Sequence, residues 1–157
     1  MSAGVNTYRG TGAEVMVPYF LGLLAESHGR AGQHQEGLRV LDQALAAVNR
    51  SRECWWEAEL YRLKGELTLN QTGADRTTSE IQRTAADYFL QAQNIAARLN
   101  AKSLELRAAM SLSRLLKEQG KRAEARRILA EAYGWFKEGF DTTDLKDARA
   151  LLDELES

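Results

Sequence analysis

Leu112-Ser113-Arg114-Leu115-Leu116-Lys117-Glu118-Gln119-Gly120-Lys121-Arg122-Ala123-Glu124-Ala125-Arg126-Arg127-Ile128-Leu129-Ala130-Glu131-Ala132-Tyr133 decides the fold. Apolar residues recur three and four apart on both sides of one glycine, the spacing of two amphipathic helices joined by a tight turn. Small residues stand at Ser113, Ala125 and Ala132, where two helices packed closely leave no room for larger ones.

The same frame occurs twice more. Aligned on Gly32, it sets Leu24 and Ala25 in the first helix and Glu36, Gly37, Leu41 and Ala44 in the second. Aligned on Tyr61-Arg62-Leu63-Lys64-Gly65, it makes Gly65 the small residue of the first helix and places Ala85, Phe89 and Ala92 in the second. Here the connection is longer, and Asn70-Gln71-Thr72-Gly73-Ala74-Asp75-Arg76-Thr77-Thr78-Ser79 reads as a polar inserted loop. Three degenerate copies of one hairpin are the signature of a solenoid, because each copy buries its apolar face only by stacking on a neighbour.

These positions resemble the tetratricopeptide (TPR) repeat, a family with a small residue in mid helix A, a turn glycine and two alanines in helix B. The resemblance implies an all-α fold: a right-handed α-solenoid of three TPR-like hairpins plus a C-terminal capping helix. The repeats fall at about 14–49, 53–99 and 102–138, within one domain spanning 11–157, and the capping helix at about 142–156. Residues 1–10 carry no periodic pattern and read as a disordered or appended lead-in. Gly37 stands where the frame expects alanine, at a cost of roughly 1 kcal/mol of helix stability.

Local signals mark the helix ends. Thr11-x-x-Glu14 and Thr77-x-x-Glu80 have capping-box spacing. Pro18 predicts a kink or a restart of the first helix. Leu21, Leu24, Ala25 and His28 then share a face, and a partner helix from about Gln35 to Asn49 buries Leu38, Leu41, Ala44, Leu45 and Val48. Ser51-Arg52-Glu53 reads as the cap of a helix opening on Cys54-Trp55-Trp56 and continuing through Leu60, Leu63 and Leu67. Of the adjacent tryptophans, Trp56 is expected buried and Trp55 partly exposed, since neighbours on a helix diverge by about 100°. In the third repeat, Phe136 belongs to a second helix that Gly139 stops. Asp141-Thr142-Thr143-Asp144 begins the last helix, with Leu145, Ala148, Leu151, Leu152 and Leu155 inward.

Three longer strings carry a narrower resemblance: Trp56 to Leu67, Ala101 to Arg107, and Tyr133 to Thr142. They are similar to the C-terminal TPR-like region of large bacterial signalling proteins that carry a predicted ATPase and a nucleotide-cyclase or DNA-binding output domain. The likeness covers about Tyr8 to the C-terminus. No phosphate-binding loop and no metal-binding aspartate pair occurs in the sequence, so the nucleotide chemistry of such proteins would lie on other domains.

Bulk properties agree with a single domain of 157 residues. Lysines and arginines number 21 against 22 acidic residues, which gives no electrostatic case for nucleic acid or an acidic membrane. The apolar run Val15 to Ala25 is broken by Pro18 and Gly22 and is too short to span a bilayer; its flanks lack a signal-peptide cleavage site. A lone Cys54 cannot form an internal disulfide. We therefore expect a cytoplasmic protein.

In the TPR family the A helices line a concave groove that commonly receives a peptide or partner helix. Carried over by the frames, the partner-binding groove consists of Tyr19, Glu26, Arg30, Glu59, Arg62, Glu66, Asn70, Arg107, Met110, Arg114 and Lys117. Arg107, Arg114 and Lys117 recur at helical spacing, a stripe suited to a carboxylate terminus or an acidic helix. The competing reading is a solvated face paired with Glu59, Glu66 and Glu118. His28, His34, Glu26 and Glu36 would have to converge to hold a metal, and a boundary histidine is the simpler reading of His28. Lys121, Arg122, Arg126 and Arg127 are interleaved by Glu124 and Glu131, which points to solvation. No nucleophile with its base is recognisable. The expected function is a non-catalytic protein–protein interaction module in signal transduction, without cofactor or metal. Its partner is a protein or peptide, its own ATPase or output domains among them, or weakly a second copy; a small-molecule sensor domain is the other alternative.

Overall fold

Gly120 adopts a left-handed backbone (φ +78°), and Gly32 does the same (φ +77°). Each ends a helix where glycine alone escapes the Cβ penalty of that conformation. The computed structural model describes residues 16–52, 54–71 and 76–157. Among these, seven α-helices and no strand are found: α1 Val17–Arg30, α2 His34–Ser51, α3 Glu57–Leu69, α4 Thr78–Arg98, α5 Lys102–Glu118, α6 Arg122–Gly134 and α7 Thr143–Glu156. Each helix packs on the next, and α1 also meets α3, α3 meets α5 and α5 meets α7.

Small residues set how closely the helices approach. Across the Gly120 turn, the Ser113 hydroxyl donates to the Ala125 carbonyl at 3.0 Å with both residues fully buried. In the first hairpin a Cβ on Gly37 would lie 2.7 Å from Leu67 Cδ1 and 3.1 Å from the Ala25 carbonyl oxygen. Glycine replaces alanine there because α2 is pressed against both α1 and α3. Gly65 serves α3 in the same way, since its added Cβ would lie 2.7 Å from Cδ1 of the fully buried Phe89 ring. The core divides into a cluster from α1 to α3 around Leu41 and Leu60, and one from α4 to α7 around Phe89, Leu115 and Leu129. Ala58, Ile95 and Ala96 join α3 to α4 between them.

Several local expectations hold. Thr77 and Glu80 form the reciprocal capping box that starts α4. Pro18 sits in the first turn of α1, where its missing N–H costs nothing; the stretch before Met16, on which a kink or restart depends, lies outside the described residues. Asn100 is left-handed (φ 53°) and breaks the chain between α4 and α5. Trp55 is exposed as expected, whereas Trp56 is only half-buried against the first core, because both lie in the turn before α3 rather than on a helix. The Thr11–Glu14 capping box, the lead-in and residues 72–75 of the inserted loop lie outside the described residues.

Others are corrected. Ser51 does not cap α3: it is the last residue of α2, and its hydroxyl donates back to the Ala47 carbonyl at 2.9 Å. Arg52 then terminates α2 in the left-handed region, and α3 begins only at Glu57, so Trp55 and Trp56 lie in the turn before it. Helix α6 ends at Gly134, short of Gly139, so Phe136 packs on the core from the connecting segment. Leu99 lies past the end of α4 and is exposed.

Candidate functional site

Helices α3, α5 and α7 meet through charge. Glu59 is only 3% exposed, because α3 turns it inward among Ala58 and Leu60. A buried carboxylate is tolerable only when paired and hydrogen-bonded. Arg62, one turn along α3, reaches it from Nη2 at 2.6 Å and from Nε at 2.9 Å, and Arg107 of α5 reaches it at 3.0 Å. Arg62 also approaches Glu66 at 3.4 Å, and the Ser111 hydroxyl of α5 donates to that carboxylate at 2.7 Å. Arg107 continues to Asp144 at the start of α7, 3.9 Å away. Burial works against the charged form of Arg62. The hydrogen bond from Arg62 to Glu59 and the charges of Glu59, Glu66 and Glu26 outweigh it, holding the guanidinium pKa above the usual arginine value.

The structure thus brings Glu59, Arg62, Glu66 and Arg107 into one ladder, and adds Ser111 and Asp144, which sequence reasoning missed. Ser111 carried a signal: a serine one turn from Arg107 on a face that α3 covers. Arg107 is therefore not a free cation of a docking stripe; it is consumed in joining α5 to α3. Lys117 is likewise engaged, 2.6 Å from Glu154 of α7. Met110 is corrected outright. It is 5% exposed and packs in the cluster with Ala85, Phe89 and Leu106, because its position on α5 turns toward the core.

Arg114 is different. It is exposed and, among the described residues, forms no ion pair within 4 Å. It lines two clefts. One, of about 620 Å³, lies between α5 and α7 and includes Lys117, Asp147 and Glu154. The other, of about 430 Å³, lies between α3, the start of α4 and α5 and includes Glu66, Asn70 and Gln82. Glu118 borders both. Asn70 Nδ2 donates to the Glu66 carbonyl at 2.9 Å.

The remaining groove positions lie on α1, and of these Glu26 acts on the ladder through its charge on Arg62. Glu26 and Arg30 pair with each other at 2.8 Å on an exposed surface. Tyr19 stacks on Trp55 (ring centroids 6.1 Å) and meets Trp56 edge-on at 5.3 Å. His28 Nδ1 lies 2.7 Å from Gln33 Oε1, and Glu36 pairs with Arg39. Among the described residues no three His, Cys, Asp or Glu side chains group to hold a metal ion. The basic stretch of α6 is answered by α7 as well as by its own glutamates. Arg126 pairs with Glu156 at 2.8 Å and Arg122 donates to the Glu154 carbonyl, while Arg127 approaches Glu131 at 3.8 Å.

No protein-family model matches this chain, and no curated protein matches it. Among the described residues no helix is long and apolar enough to cross a membrane.

Proposed function

We propose that this chain is a non-catalytic protein–protein interaction module, a TPR-like right-handed solenoid of three hairpins with a capping helix, working within a signal-transduction or regulatory protein. It receives a peptide or helix along the face shared by α1, α3, α5 and α7. Alternate-helix packing supports the stacked arrangement, since a bundle closing on itself would bring α1 to α7 as well.

The observation that carries the reading is the state of Arg114. Its neighbours in the cationic stripe are spent on internal partners, whereas its guanidinium stands where two clefts meet. A planar fork of donors in that position is suited to grip a carboxylate of an incoming segment. Leu69, Ile81 and Leu115, which line the smaller cleft, supply apolar contact. Charge then sets register while burial supplies affinity.

The test is affinity capture from cell extract with three forms of the chain: wild type, Arg114→Glu, and Arg83→Glu on the exposed side of α4. A partner retained by wild type and Arg83→Glu but lost with Arg114→Glu supports the reading. Equal recovery by all three removes this face from consideration.

A further inference from the structure

The last helix is held in a way that allows it to be traded between chains. Helix α7 contributes Leu145, Ala148, Leu151, Leu152 and Leu155 to a core otherwise built from α4, α5 and α6. Its polar tethers all reach back to α5 and α6: Arg107 to Asp144, Lys117 to Glu154, Arg126 to Glu156, and Arg122 to the Glu154 carbonyl. The first spans 3.9 Å and the other three are solvent-exposed, so none locks the helix in place.

Between α6 and α7 the chain is not helical over residues 135–142. It turns at Gly139 (φ +76°), with the Thr142 N–H donating to the Gly139 carbonyl. Pulled straight, this stretch spans up to about 28 Å, more than the length of about 21 Å of α7 itself. It also bears two large exposed rings, Trp135 at 56% and Phe140 at 46%. Trp135 has Lys102 Nζ 5.8 Å from its centroid and Phe136 against its edge, yet most of its surface faces water. Exposed aromatics placed on a hinge sit where two exchanged chains would cross.

We propose that this chain forms a dimer by exchanging α7, each copy's helix docking on the α5–α6 surface of the other. Complementarity is guaranteed, because the incoming helix is the same sequence that the surface already holds. Exchange conserves every docking contact. What it adds is burial of Trp135 and Phe140 where the two hinges run past each other; what it costs is the freedom of one molecule. The dimer forms slowly, since α7 must leave its own surface first.

The experiment is light scattering on the full chain and on a charge-exchanged pair. One variant carries Glu154→Arg/Glu156→Arg, so its α7 opposes its own surface. The other carries Lys117→Glu/Arg126→Glu, so its surface rejects its own α7 but suits the first variant's. Mixed, the two satisfy every tether only as an exchanged heterodimer. The expected result is a rise from the 17.5 kDa of one chain to twice that mass on mixing, with neither variant reaching it alone at the same concentration. The wild-type chain should show a dimer fraction that grows with concentration and falls in Trp135→Ala/Phe140→Ala. A mixture that stays monomeric overturns the proposal, as does a wild-type dimer that the mixed pair cannot reproduce. Circular dichroism on each variant alone checks that it retains its helices.

Discussion

Arg107 of α5 reaches across to the buried carboxylate of Glu59 on α3 at 3.0 Å, the two residues standing 48 positions apart (107 − 59) in the sequence. That contact turns two neighbouring helices into one polar ladder, and it is asymmetric. Glu59 is 3% exposed and Arg107 31%.

The asymmetry predicts unequal costs. Glu59→Ala leaves the guanidinium of Arg62, itself only 13% exposed, without its main partner. We expect a loss of about 3 kcal/mol, the scale for breaking a buried pair. Arg107→Ala leaves Glu59 still doubly bonded by Arg62, and should cost about 1 kcal/mol. Urea denaturation of both variants tests the order; equal losses would place the weight of the ladder elsewhere.

Close helix approach predicts that Gly65→Ala destabilises. Helix propensity alone favours alanine over glycine by about 1 kcal/mol. Against that, the new methyl group would sit 2.7 Å from Phe89 Cδ1 and 3.0 Å from Cζ, in a ring with no exposed surface and no room to retreat. Overpacking of this kind costs about 1–3 kcal/mol, so the clash prevails. Thermal unfolding should show a lower midpoint; a raised one would mean that α3 and α4 lie farther apart than described.

Acid should loosen α7. The hydrogen bond and charge of Lys117 hold the Glu154 carboxyl below the ordinary value of 4.5, and Arg126 does the same for Glu156. A group whose folded pKa is depressed lends stability above its unfolded pKa and loses it as pH falls through the folded one. Docking of α7 is therefore unaffected near neutrality and weakens below about pH 4.5. Trp135 fluorescence followed into acid should report the change, and Glu154→Gln/Glu156→Gln should flatten it. An identical acid transition in that variant would assign the effect to other carboxylates.

Arg114→Glu should leave the fold untouched. The residue is exposed and without an ion pair among the described residues, and surface changes of this kind stay within about 0.5 kcal/mol. Chemical denaturation of the variant should overlay the wild-type curve, which separates any loss of partner from loss of structure.

Much of this architecture is legible in short-range chemistry. Thr77 with Glu80 and Gly120 with its flanking apolar pairs each specify their structure within a few residues. The errors arise where distant helices decide. Ser51 has the right type for a helix start, but α2 runs on to claim it. Met110 looks like a groove residue from its frame position, and only the placement of Phe89 shows why it is buried. Arg122 and Arg126, interleaved with Glu124 and Glu131, read as a solvated stretch, whereas the structure ties them to the Glu154 carbonyl and to Glu156 of the last helix. The glycine at 37 reads as a weakness in one dimension and as a contact requirement in three.

Hydrogen exchange on the chain bound to its captured partner tests the recognition face most directly. Slowed exchange is expected over Glu57–Leu69 and Lys102–Glu118, the helices that carry the charge ladder and Arg114. Protection confined to His34–Ser51 and Thr78–Arg98 would put the partner on the opposite helices and contradict the proposed face.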